Sequence, residues 1–126
     1  MTRTPSGEPS WIVPLCSIAE AYRIEDRSIR ELFERAAPDL DDPRFVEMVV
    51  RRLEREPLLV EAWQQYSADK RSTPNPFLQG TEVGFVDFAD GKVAVRVVER
   101  FDSEIDACAT FIRHEATWVL ERRRVA

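Results

Sequence analysis

The sequence predicts an α+β fold: one helix-rich domain in which a β-hairpin (about 83–98) packs on a long C-terminal helix. Two patterns predict it. Apolar residues recur at helical spacing through the first half of the chain and again from Ile105 onward, and alternating residues flank an Asp90-Gly91 pair between Val83 and Val98. Size agrees. A chain of 126 residues, 44% apolar and 33% charged, buries enough surface to fold as one domain without a disulfide or structural metal. Residues 1–10 are polar and carry Pro5 and Pro9, which predicts a disordered leader and places the domain at 11–126.

The elements follow in order. Trp11-Ile12-Val13 reads as a short extended piece, because a residue preceding proline avoids the helical region and Pro14 comes next. Leu15, Ile18, Ala19 and Tyr22 make a first helical stripe. Ile29, Leu32, Phe33 and Ala36 make a second, with Asp26 as cap and Pro38 as stop. Asp39 to Asp42 form an acidic connection. Asp42 and Pro43 open a third helix with Phe45, Met48, Val49 and Leu53 inward and Glu47–Arg51 and Arg52–Glu56 paired one turn apart on its outer face. Pro57 opens a fourth, with Leu59, Ala62, Trp63 and Tyr66 inward. Residues 69–81 read as a long loop interrupted by Pro74 and Pro76.

Asp90-Gly91 is a favoured two-residue hairpin turn. It sets Phe88 against Val93, Val86 against Val95 and Gly84 against Val97, an apolar face. Val83, Phe85, Asp87, Ala94, Arg96 and Val98 fall on the other. A two-stranded ribbon is marginal alone, so it must pack on helices or gain a third strand. The final helix runs from Ser103 to about Arg123, roughly 30 Å, with Ser103 and Asp106 at capping-box spacing. Its stripe is Ile105, Cys108, Ala109, Ile112, Ala116, Val119 and Leu120. Phe111 and Trp118 lie at the edge, candidates for a homodimer contact.

Charge is uneven. The net charge is −5, of which residues 1–42 contribute −4. A field of this sign disfavours nucleic acid and anionic membrane and favours encounter with a basic partner. No segment has the length and apolarity of a signal peptide or a membrane span, and two cysteines far apart, Cys16 and Cys108, read as reduced and buried. Together these predict a cytoplasmic protein.

Most site chemistries find no constellation. No clustered ligands predict a metal, and Gly7, Gly80, Gly84 and Gly91 match no nucleotide fingerprint, so no cofactor is expected. Cys108 and His114 lie on one helix about 120° apart and about 9 Å along the axis, too far for a nucleophile–base pair. His114 falls opposite the apolar stripe and is expected to face solvent. Asp102, Glu104 and Asp106 suit the positive end of a helix dipole. Asp39, Asp41 and Asp42 crowd one loop, and only one of them is needed as a cap. A small enzyme using a carboxylate cluster is therefore one alternative, although acid–base work would need a cleft around that cluster or His114. No catalytic residue is assigned.

Two resemblances bear on function. Ile18-Ala19-Glu20-Ala21-Tyr22-Arg23-Ile24 followed by Ser28-Ile29-Arg30-Glu31-Leu32 resembles a DNA-binding helix-turn-helix over residues 18–32, with Arg23 where that motif usually has Gly. It implies a DNA-binding regulator using Arg27 and Arg30, against an acidic local charge of −4 over residues 15–42. Tyr66-Ser67-Ala68-Asp69-Lys70-Arg71, the hairpin, Asp106-Ala107-Cys108-Ala109 and Phe111-Ile112-Arg113-His114-Glu115 resemble segments of small bacterial immunity proteins associated with polymorphic toxins, over about residues 57–122. That resemblance implies a non-enzymatic inhibitor of a cognate toxin. With the acidic charge, it predicts a basic toxin partner met through Asp39, Asp41 and Asp42, with Glu20, Glu25, Glu31 and Glu34 nearby in sequence.

Overall fold

The computed structural model describes residues 8–25, 27–69, 75–89 and 92–125. Among these, six helices and one antiparallel sheet form an α+β fold: α1 (Ile12–Cys16), α2 (Ile18–Ile24), α3 (Ile29–Ala36), α4 (Phe45–Arg55), α5 (Leu58–Asp69), β1 (Asn75–Gln79), β2 (Glu82–Ala89), β3 (Lys92–Arg100) and α6 (Glu104–Val125). The sheet order is β1-β2-β3. The long helix α6 packs against α3, α4 and α5 and against β1 and β2 of the sheet, and α5 also packs on β1.

Packing on two sides explains why the buried arc of α6 is wider than a one-sided stripe. Ala107, Phe111, Glu115 and Ala116 are buried along with Cys108, Ala109 and Ile112. Phe111 has no exposed surface and Trp118 is partly buried against the core. Phe111 is therefore not the exposed edge residue that the helical pattern predicts. Trp63 of α5 is the centre of the aromatic core, with ring centroids of Phe33, Tyr66 and Phe111 at 6.4, 5.4 and 6.0 Å. Its Nε1–H donates to the Cys16 carbonyl at 2.9 Å, so the indole nitrogen is satisfied inside the core.

The N-terminal region differs from expectation in two places. Residues 12–16 are helical, with Pro14 inside α1. The reason is position: Pro14 lies in the first turn, where a backbone N–H has no intrahelical acceptor to lose. Of the leader expected over 1–10, residues 1–7 lie outside the described residues. Glu8, however, is buried, and its Oε1 meets Arg52 Nη2 at 2.6 Å. Arg52 also reaches Glu56 at 2.9 Å, so the expected i,i+4 pair forms, but on a side chain turned inward and only 16% exposed. Glu47–Arg51 forms on the outer face at 3.5 Å.

The hairpin register matches the turn-based prediction: Phe88 faces Val93, Val86 faces Val95 and Gly84 faces Val97. The Asp90-Gly91 turn lies outside the described residues. Beyond Gly84 the register shifts, Val83 facing Glu99, so Val98 is the extra residue of a bulge. Gly84 is needed at this close approach, since a Cβ there would lie 2.0 Å from the Arg96 carbonyl oxygen. The face that meets the helices carries Val83, fully buried, and Phe85, whose ring lies 5.8 Å from His114 of α6.

The loop expected over 69–81 instead supplies a third strand, β1, which includes Pro76. Pro76 is tolerated because β1 is an edge and its nitrogen points away from β2. Leu78, two residues on and therefore on the same side, donates its N–H to Ser67 Oγ of α5 at 2.7 Å. Gln64 of α5 then takes the Gly80 N–H at 2.9 Å and donates to the Gly80 carbonyl at 3.0 Å. The outer edge of β1 is thus covered by side chains of α5, while Gly80, at φ 61°, makes the turn into β2.

Candidate partner-binding site

The acidic connection between α3 and α4 is built from local rules. Ser28 accepts from the Glu31 N–H at 3.1 Å and starts α3, the role expected of Asp26, which lies outside the described residues. Ala37 ends α3 in the left-handed region at φ 51°, and Pro38 prevents its continuation. Asp39 Oδ1 then accepts the Asp41 N–H at 3.0 Å, folding the loop on itself. Asp42 Oδ1 accepts the Arg44 N–H at 2.8 Å, a capping contact in the turn that leads into α4. From behind, Arg113 of α6 donates to the Leu40 carbonyl at 3.0 Å while its guanidinium sits 5.9 Å from the Phe45 ring centre. The loop is therefore tied to the helical body at its midpoint.

A cavity of about 450 Å³ opens where this loop meets the C-terminal part of α6. Glu34, Asp39, Asp41 and Glu121 are exposed residues on its lining; Leu40, Pro38 and Leu120 are half-buried there, and Phe33 closes the bottom. Of the seven residues predicted to meet a partner, the structure brings Glu34, Asp39 and Asp41 together at this cavity. Asp42 is not on its lining, and its carboxylate serves the turn into α4. Glu25 is shared by Arg27 at 3.1 Å and Arg35 at 3.6 Å, and Glu31 is also held by Arg27. Glu20 is exposed on α2, off the lining. Glu121, from the far end of the chain, was not singled out from sequence. Only the packing of α3 against α6 brings it beside Glu34, and no spacing along the chain signals that.

The remaining ionisable groups are built into the core. Tyr66 donates its hydroxyl to Glu115, a carboxylate that is almost fully buried. Burial, with the carboxylate beside it, pushes the Tyr66 phenol well above its ordinary range. Burial likewise pushes the Cys16 thiol up to about 12 and raises that of Cys108, so neither is a nucleophile in the folded chain. His114 is not the solvent-facing residue expected. It is 28% exposed, wedged between Phe85 and Glu99, with Nε2 at 3.5 Å from Glu99 Oε1. No group of three or more His, Cys, Asp or Glu among the described residues is arranged to hold a metal ion. No helix among them is long and apolar enough to cross a membrane.

Helices α2 and α3 fall where the helix-turn-helix pattern places them, yet Ile24, the last residue of α2, is 73% exposed and Arg27 is engaged by Glu25 and Glu31. In comparisons with known proteins, the chain matches no protein family, no curated protein and no solved structure.

Proposed function

We propose that this chain is a non-enzymatic protein-binding factor that inhibits a basic cognate partner, in the manner of the small immunity proteins it resembles. The observation that supports this reading is the convergence of Glu34, Asp39, Asp41 and Glu121 on one open cavity of an acidic protein. Carboxylates in that position attract a cationic surface from a distance and orient it on approach. Their exposure suits recognition better than proton transfer, which draws on groups desolvated in a cleft. The loop is also tied down before the partner arrives, so little ordering entropy remains to be lost on docking.

The test first reads the neighbouring genes for a toxin-like domain, whose absence would count against the reading, and then measures association with the domain found. Stopped-flow mixing at several salt concentrations is expected to show association that slows steeply as salt rises. The double variant Asp39→Asn, Asp41→Asn is expected to slow association about threefold or more at low salt and to flatten the salt dependence. Asp42 is left intact, so the start of α4 is undisturbed. Association insensitive to salt and to both substitutions would end the assignment. Absence of any association would end the reading of the chain as that domain's inhibitor.

A further inference from the structure

Helices α1 and α2 are one helix broken at a single residue. α1 ends at Cys16 and α2 begins at Ile18, and Ser17 between them has φ −92° and ψ 0°. A regular helix holds ψ at about −42°. Helical bonds already reach the junction from both sides. The Ser17 N–H donates to the Val13 carbonyl at 3.2 Å, and the Ala21 N–H donates to the Ser17 carbonyl at 2.9 Å. The break is not held by capping: Ser17 stands at the N-cap of α2, yet its side chain makes no capping hydrogen bond. Neither glycine nor proline occurs from Leu15 to Ile24, and Pro14 would keep its place in the first turn of a longer helix begun at Ile12. Packing is what bends the chain here. The arm of residues 8–16 lies against the body, where Glu8 meets Arg52 at 2.6 Å, Trp11 stacks on Phe45 at 5.1 Å and the Cys16 carbonyl accepts from Trp63. Ile12, Leu15 and Cys16 are fully buried.

Local preference for a straight helix and tertiary preference for a bent one conflict within one molecule. Two molecules satisfy both. We propose that this chain forms a homodimer by exchanging arms, with Ser17 as the hinge. In the dimer, residues 12–24 run as one helix, and each arm lies on the body of the other copy. There it remakes the contacts with Arg52, Phe45 and Trp63 that it makes on its own body in the monomer. The partner is a second copy because the surface that receives the arm is complementary to this arm, in its ion pair, its ring stack and its buried aliphatic side chains. What differs between monomer and dimer is the hinge and the new contact around it, so Ser17 and chain concentration set the balance. Exchange must first unpack Ile12 and Leu15 from the core, so it is slow in the folded state and fast during refolding.

The experiment refolds the whole chain from urea at high and at low concentration and sizes the products by gel filtration with light scattering. A dimer is expected from the concentrated sample, persisting for a time after dilution. Ser17→Ala is expected to tighten the dimer about three- to fivefold, because two hinges gain helix propensity, and Ser17→Gly to weaken it by a similar factor. A second measurement identifies the exchanged element. Chains carrying Glu8→Arg and chains carrying Arg52→Glu are refolded separately and together. Each alone sets like charges against each other, whereas in a heterodimer both arms meet an opposite charge, so the mixture is expected to yield the heterodimer in preference to either homodimer. Two results would overturn the proposal. One is a monomer at every concentration for both the unmodified chain and Ser17→Ala. The other is a dimer indifferent to both Ser17 substitutions, which would place the contact on another face. If the charge-reversed chains do not fold even together, the Ser17 series decides.

Discussion

Replacing Gly84 by alanine tests whether the register of the sheet is set by a close backbone approach. The added Cβ would lie 2.0 Å from the Arg96 carbonyl oxygen, 2.9 Å from its carbon and 2.8 Å from Cε2 of Phe77. Ordinary contacts at such an atom begin near 3.4 Å, so β3 would have to retreat by about 1.4 Å at this point. Rotation of the Phe77 ring relieves only one of the three contacts, and Phe77 is itself buried. Overpacking against side chains costs about 1–3 kcal/mol. Here the obstacle is backbone inside a paired ladder, and breaking a neighbouring hydrogen bond adds about 1 kcal/mol. The expected loss is about 3 kcal/mol, which for a chain of this length lowers the melting temperature by about 10 °C. Urea unfolding followed by tryptophan fluorescence measures it. A loss below about 1 kcal/mol would refute the reasoning, as would full rescue by Phe77→Leu in the same chain, because the carbonyl contact remains.

Other expectations follow from the same structure. Ser67→Ala removes the acceptor of the buried Leu78 N–H and is expected to cost about 1–2 kcal/mol in urea unfolding. Glu8→Ala leaves Arg52 with Glu56 alone and is expected to cost about 2 kcal/mol, whereas Glu47→Ala on the exposed pair is expected to change stability by less than about 0.5 kcal/mol. Stability is expected to fall with rising pH in the alkaline range. The Cys16 thiol titrates near 9 when unfolded and is held up to about 12 in the fold, so above pH 9 the unfolded chain releases a proton that the folded chain retains. Stability is fully present below pH 9 and declines toward pH 12 by up to about 1.4 kcal/mol per pH unit for that thiol. Cys16→Ala should lessen the slope measured by unfolding at pH 8, 9 and 10. For the same reason, neither thiol should react with a disulfide reagent at pH 8 until the chain unfolds.

The parts of the fold legible from sequence are those governed by nearest neighbours. Although the side that meets the helices, that of Val83 and Phe85, is not the wholly apolar face, the pairing of Phe88 with Val93, Val86 with Val95 and Gly84 with Val97 is legible from the Asp90-Gly91 pair in the sequence because turn chemistry acts over a few residues. Ser103, which accepts from the Asp106 N–H at 3.1 Å, marks the start of α6 for the same reason. Pro76 misled because proline's meaning depends on which side of a strand is paired, and that is decided by Ser67 and Gln64 on a different element. Pro14 misled because its tolerance depends on being in the first turn of a helix five residues long. The candidate site divides in the same way. Asp39 and Asp41 stand out in the sequence as a local surplus of charge. Glu121 joins them only through tertiary packing, and Glu25 and Glu31 are drawn away by arginines whose geometry the sequence does not reveal.

The contacts of α5 along β1 hinder growth of the sheet at that border. Gln64 and Ser67 occupy the backbone groups that a newcomer would need at that border. The opposite border of the sheet is β3, where Arg96, Glu99 and Arg100 are exposed. These charged residues act as gatekeepers there. Replacing all three with threonine removes the Arg100–Glu82 and Glu99–His114 contacts and is expected to make the β3 border more prone to aggregation.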